Sequence, residues 1–278
     1  MPLRSGPFPG TLTGRVTRSR GYPKGEGDAR SLARSGDPRV HRTLTGWAFP
    51  DPGAAAPGEE IIGVGADLEV ATLLEAYAHG LFPMRVATGG PLGWWSPDPR
   101  GIVPLQVPHI SRSLRRSIQR FTLTVDTEFE AVMRACGDPG RPHGWIDESF
   151  VEAYVGLHEG GRAHSVEVWT KGADGNRELV GGIYGVALGG LFAGESMFHR
   201  RTDASKVAFL GLVERLRSAG ASLFDVQWCT PHLASLGAVE VSRSRYLELL
   251  GDAVARPQLD LGPASLTLSF PGESRNQV

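Results

Sequence analysis

Asp225 and Gln227 stand two residues apart in the run "SLFDVQ", a spacing that on a strand projects both side chains to one face. A carboxylate beside a carboxamide can fix the amide's orientation and leave its carbonyl oxygen as a set acceptor. A polar stripe facing water has the same spacing, and periodicity alone does not choose between the two. Glu195 is a second candidate. It interrupts "LFAGESMF", whose large residues Leu191, Phe192, Met197 and Phe198 are apolar. It therefore needs a buried partner, or an edge strand that turns it to water. A third constellation is Arg112, Arg115 and Arg116, at i, i+3 and i+4 of "SRSLRRSIQR". On a helix they share one face, suited to phosphates or simply solvated.

Other chemistries lack their residues. No H-E-x-x-H and no paired C-x-x-C occurs, and the 8 histidines are scattered, so no metal centre is expected. There is no Walker loop and no G-x-S-x-G elbow. "GGIYGVALGG" is glycine-rich but reads as strand, so it is a poor phosphate cradle. "HRRTDASK" lacks the glycine-rich turn that would hold the pyrophosphate of coenzyme A. No cofactor is expected.

Hydrophobic residues at 41% and charged residues at 21% are those of an ordinary soluble globular protein. A net charge of −1 means that contact with nucleic acid must come from a local basic cluster. Two cysteines, Cys136 and Cys229, are too few for a disulfide framework and point to a reducing compartment. No apolar run is long enough to span a membrane, and cytoplasm is the expected location.

The elements that must position these residues follow from pattern. Residues 1–57, rich in Gly, Pro, Ser and Arg, bury little apolar surface and read as a disordered basic extension, dispensable for folding. Asp67 reads as the N-cap of "LEVATLLEAYAHG", where Leu68, Ala71, Leu74, Tyr77 and Ala78 recur at helical spacing before Gly80. "LFPM" and "GGPLGWWSPDPRGIVPL" read as a Pro-punctuated loop. Helices are expected from Ser111, from Thr127 to Ala135, and from Asp147 to Glu159. The period then changes to strands at "AHSVEVW", "ELVGGIYGVALGG" and "LFAGESMF", with "ADGN" as a turn. A helix over Lys206–Ala219, the strand "SLFDVQ" and a last helix complete an α+β chain. The expected division is a small N-terminal domain at 58–110, a transferase domain at 111–256 with a central, largely antiparallel sheet, and a tail at 257–278.

Taken together, "YAHGLFPM", "WWSPDPRGI", "SRSLRR", "AHSVEVW", "LVGGIYGVALGGLFAGESMF", "ASK" and "HLASLGAVEVSR" occur in the order and spacing found in leucyl/phenylalanyl-tRNA–protein transferases. The chain resembles that family between about residue 60 and residue 250. The resemblance implies a GNAT-like C-terminal domain. It implies transfer of Leu, Phe and, less well, Met from aminoacyl-tRNA to proteins with N-terminal Arg or Lys, marking them for degradation by the N-degron route. It also implies a monomer with no membrane partner. Under it, Asp225 and Gln227 are the catalytic pair and Glu195 is a carboxylate near the incoming amine. Met84, Trp145, Ile183, Phe192, Met197, Leu212 and Phe224 would surround the transferred side chain, and Tyr77 the terminal adenosine. Arg112 and Arg116, with Arg115 between them, would meet the acceptor stem. Three departures stand out: Val226 replaces a common cysteine, Met84 a common tryptophan, and Trp228–Pro231 a stretch in which other members carry Asn. The alternatives are an acyl-CoA-dependent N-acetyltransferase, a Fem-type transferase and a non-catalytic RNA-binding module.

Overall fold

The computed structural model describes residues 14–18, 45–105, 112–138, 140, 145–172 and 175–268. The first part of the chain forms two short strands, β1 (Thr17–Arg18) and β2 (Trp47–Ala48), then β3 (Ile61–Val64), helix α1 (Val70–Ala78), β4 (Phe82–Arg85) and β5 (Leu92–Trp95). The last three strands make an antiparallel sheet in the order β3-β5-β4. The expected Pro-punctuated loop thus holds two strands. Pro83 is tolerated because β4 is an edge strand. The central β5 is buried along its whole length, with Trp94 and Trp95 fully enclosed. Burial on both faces erases the alternation by which a strand is recognised.

The rest is built on one eight-stranded sheet. Its elements are β6 (Arg100–Val103), α2 (Arg112–Ile118), β7 (Thr122–Val125), α3 (Phe129–Cys136), α4 (Glu148–Glu159), β8 (Ala163–Lys171), β9 (Arg177–Leu188), β10 (Leu191–His199), α5 (Ala204–Ser218), β11 (Leu223–Gln227), α6 (Pro231–Ser235), β12 (Val239–Val241), α7 (Arg243–Val254) and β13 (Ala264–Leu266). The strand order is β12-β6-β11-β10-β9-β8-β7-β13, antiparallel except for the β10–β11 pair. Helix α5 packs on one face over Val166, Ile183, Phe192 and Phe224. On the other face α1, α3 and α4 pack with the small sheet over Ala163, Tyr184, Val186 and Phe198. Helix α7 closes one end over Leu191 and Leu223. Helix α4 starts where its cap predicts, since Asp147 accepts hydrogen bonds from the backbone N–H groups of Ser149 and Phe150.

Four expectations change. Asp67 is not the N-cap of α1. That position is Glu69, and Asp67 instead accepts the Glu69 N–H and the Trp47 indole N–H, at 3.1 and 2.7 Å. The basic extension is not wholly detached, because Val16 is buried, Arg15 bridges Val64, and β1 pairs with β2. The tail contributes β13, which pairs with β7, and it buries Leu259 and Leu261. Strand β6, placed by the sequence in the small N-terminal domain, lies between β11 and β12 of the large sheet. The two sheets are also pinned directly. Buried Arg243, the first residue of α7, donates to the carbonyls of Ala55, Ala56, Glu59 and Ser96. The turn residues Ala173 and Asp174 lie outside the described residues.

Candidate active site

Strands β10 and β11 pair only from Leu191 to Ala193, against Leu223 to Asp225, and then part. Each is bulged where they separate. On β10, Gly194 faces Gly185 and Ser196 faces Tyr184, so Glu195 is the extra residue. The bulge keeps Glu195 on the α1/α4 face while Met197, two residues on, turns to the α5 side. On β11, Asp225 faces Ile102 and Gln227 faces Gly101, which makes Val226 the extra residue. Gln227 has φ 59°, in the left-handed region, a strained backbone of the sort that functional sites retain. Gly101 admits it, since a Cβ there would lie 2.7 Å from the Cys229 nitrogen.

Asp225 and Gln227 do share the face opposite Phe224 and Val226, as their spacing predicts. Their contact differs from the expected amide lock. Asp225 Oδ1 accepts the backbone N–H of Gln227 at 2.9 Å, while Gln227 Nε2 is buried without a hydrogen-bond partner among the described residues. The Asp225 carboxylate is held by Arg100 through Nε at 2.8 Å and Nη2 at 2.6 Å, and by the Tyr246 hydroxyl at 2.9 Å. Both members of the ion pair are fully buried. Burial alone would ease the proton off Arg100, but the Asp225 charge beside it raises its proton affinity, so the guanidinium stays cationic.

Glu195 meets two tyrosines. The Tyr77 hydroxyl donates to Oε1 at 2.7 Å, that of Tyr154 reaches Oε2 at 3.3 Å, and the two hydroxyls are 2.6 Å apart. Burial pushes the Glu195 carboxyl up to about 8; the Tyr77 hydrogen bond opposes the rise, and the Asp225 charge adds to it. Burial, together with the Glu195 charge, holds both tyrosines well above their ordinary value, so they act as neutral donors.

A cleft of about 210 Å³ opens where the strands part, walled by Phe82, Met84, Trp145, Glu195, Gln227 and Trp228. Of the residues expected around a transferred side chain, Met84 and Trp145 reach it. Ile183, Phe192, Leu212 and Phe224 do not; they sit in the closed core beneath α5, with Met197 packed against it. Tyr77 is enclosed behind Glu195 rather than lining the cleft. Arg112, Arg115 and Arg116 fall on α2 as expected. Arg115 is half-buried, Arg116 is exposed, and the side chain of Arg112 lies outside the described residues. The sequence reading missed Arg100, Tyr154 and Tyr246. Arg100 closes the "SPDPR" string, where a charge beside apolar "GIV" was the available hint.

Glu195, a half-buried carboxylate with raised proton affinity, thus stands at the lip of a largely apolar cleft beside Gln227, whose backbone is strained. Residues 66–98 match the family described as Leucyl/phenylalanyl-tRNA protein transferase N-terminal domain, and residues 102–251 match Leucyl/phenylalanyl-tRNA protein transferase. Among relatives of that name, one from Oleidesulfovibrio alaskensis is 50% identical over 214 residues, covering 75% of this chain and 86% of the relative. One from Paramagnetospirillum magneticum is 53% identical over 188 residues, covering 66% and 88%. One from Anaeromyxobacter dehalogenans is 49% identical over 217 residues, covering 76% and 90%. The chain belongs to the leucyl/phenylalanyl-tRNA–protein transferase family. The structure of L-PGS from Bacillus licheniformis aligns over 57% of this chain and 65% of that chain at 15% identity and TM-score 0.34, too distant to carry an argument.

Proposed function

We propose that this protein transfers leucine or phenylalanine, and less well methionine, from aminoacyl-tRNA to the α-amino group of proteins that begin with Arg or Lys, marking them for degradation. The observation that carries this reading is the pairing of Glu195, with its raised proton affinity, and Gln227 on one cleft. The short parallel β10–β11 contact that splays open at the site supports a GNAT-like description of the larger domain. A monomer acting in the cytoplasm, where charged tRNA is found, suits the substrates.

The reaction needs little chemical power. The amine nitrogen bonds to the ester carbonyl carbon, the bond from that carbon to the ribose oxygen breaks, the nitrogen loses a proton and the ribose oxygen gains one. An α-amine with a pKa of roughly 7.7–8.0 is partly neutral already, so it needs orientation and a matched proton acceptor. Glu195, tuned to about 8, is that acceptor. The tyrosine pair orients its oxygens and can pass a proton between them. Asp225 is neutralised by Arg100 and serves as a positioning residue, fixing the Gln227 backbone so that its carboxamide faces the reacting groups. Met84, Trp145, Phe82 and Trp228 give the transferred side chain apolar walls. One methylene there is worth only about 1–3 kcal/mol, so discrimination among apolar residues is shape-based and leaky. Incubation with leucyl-tRNA and an Arg-initiated peptide should add one leucine by mass. A peptide modified only when acetyl-CoA replaces the charged tRNA would overturn the reading.

A further inference from the structure

Three exposed cations cross three neighbouring strands at one end of the large sheet. Arg200 follows β10, Arg177 opens β9, and Lys171 ends β8. The Arg200 guanidinium lies over Phe198, on the same face of the sheet as Glu195, and donates to the Leu179 carbonyl. Arg177 stacks 4.3 Å over the Trp169 ring, and Lys171 is its register partner across the hairpin. None of the three carries a salt bridge among the described residues. The nearby Glu178 is taken by Arg201.

The row ends in a dish of about 410 Å³, larger than the catalytic cleft, whose rim includes Lys171, Arg177 and the hydroxyl residues Thr122, Thr170 and Ser265. Its floor is rigid. Trp169 Nε1 donates to Thr124 Oγ1 at 2.8 Å, and that hydroxyl donates to the buried Glu167. Glu167 is itself satisfied by Ser165 Oγ and the Thr127 N–H, so its charge is turned inward, away from the dish. Strand spacing of about 4.8 Å puts the dish roughly 10–15 Å sideways from the gap between β10 and β11, and a rise of about 3.3 Å per residue from Tyr184 to Leu179 puts it a further ~17 Å along the strands, roughly 20–25 Å in all. That is beyond the reach of a terminal nucleoside and within reach of the nucleotides that precede it. Cations spaced along a line, ending beside hydroxyl groups, fit a sugar–phosphate backbone better than a single small anion.

We infer that Arg200, Arg177 and Lys171 form a track that carries the phosphodiester backbone of the tRNA away from the cleft, and that the dish seats one of its sugar–phosphate units. This rests on the proposed use of aminoacyl-tRNA. The test measures binding of full-length tRNA carrying a non-hydrolysable leucyl 3′ end, over a range of salt, to the full chain and to Lys171→Gln/Arg177→Gln. Both sites are exposed, so folding is kept. The slope of log affinity against log salt should become shallower by roughly 1.5–2, with about ten- to fiftyfold weaker binding near 0.1 M salt. A leucyl-adenosine analogue should bind both proteins equally, and Lys171→Arg/Arg177→Lys should restore the slope. An unchanged slope would overturn the inference, as would equal losses for the adenosine analogue. So would an equal loss in Arg217→Gln/Arg245→Gln, which removes the same charge elsewhere. If the unaltered chain transfers leucine and only these variants behave like wild type, the track fails and the activity stands; if it transfers nothing, the activity itself is wrong.

Discussion

Glu195 draws its proton affinity from burial, which ties its chemistry to stability. Its folded value, about 8, lies above the ordinary carboxylate range. Its contribution to stability is therefore complete at acid pH and is lost as pH rises through about 8. Glu195→Gln should melt at a higher temperature than wild type above that pH, with the difference vanishing in acid. The same change should lower transfer by about a hundred- to ten-thousandfold and remove the rise in rate with pH that the deprotonated carboxylate confers. A Gln variant with wild-type rate and pH profile would move the proton elsewhere. Asp225→Asn should fail differently. It leaves the Arg100 guanidinium buried without its counter-charge, a loss of about 3–5 kcal/mol measurable by denaturant titration. Gln227→Ala should spare stability and cut the rate about ten- to a thousandfold. The sequence placed Asp225, Gln227 and Glu195 correctly on strands because alternation reports side-chain direction. It could not report that Asp225 grips the Gln227 backbone and not its amide. That depends on Arg100 and Tyr246, which lie 125 and 21 residues from Asp225 in the chain.

At the scale of elements, helices α3, α4 and α5 were legible in the sequence to within a few residues of their ends, and α4 alone of the three begins at a side-chain cap, Asp147. The bulges of β10 and β11 were not, because a bulge is defined against a partner strand and leaves no periodic trace. Strand β5 was lost for the opposite reason, being buried on both faces. The N-terminal arm was misjudged by composition. Few of its residues are apolar, yet Val16, Trp47 and Phe49 are spent on one surface: Val16 is buried, Trp47 and Phe49 pack against the core, and Trp47 bonds Asp67. Removing residues 1–50 should therefore lower stability rather than leave it untouched. Trp47→Phe, which keeps an aromatic side chain but deletes the indole N–H and part of the packing surface, should lower it by about 1–2 kcal/mol. A truncated chain with an unchanged denaturation midpoint would show that these contacts contribute nothing.

Across the whole molecule, charge and connectivity were the least legible properties. A net charge of −1 says nothing about a sheet end where Lys171, Arg177 and Arg200 converge, since register assembles them from three strands. Connectivity has a mechanical side. The four carbonyls gripped by Arg243 come from the segment around the small sheet, while Arg243 itself opens a helix of the large one. Arg100 adds a second tie, from β6 to the Gly80 carbonyl behind α1. Such rivets make the two sheets share one unfolding transition, so a calorimetric trace should show a single peak. Cutting the larger rivet with Arg243→Met should split that peak and let the small sheet melt first. The cleft would then lose Phe82 and Met84 while Glu195 and Gln227 were still in place. Warming such a protein would open the apolar wall before the proton-handling groups dispersed, and the enzyme would lose its choice of amino acid at a lower temperature than its capacity to react.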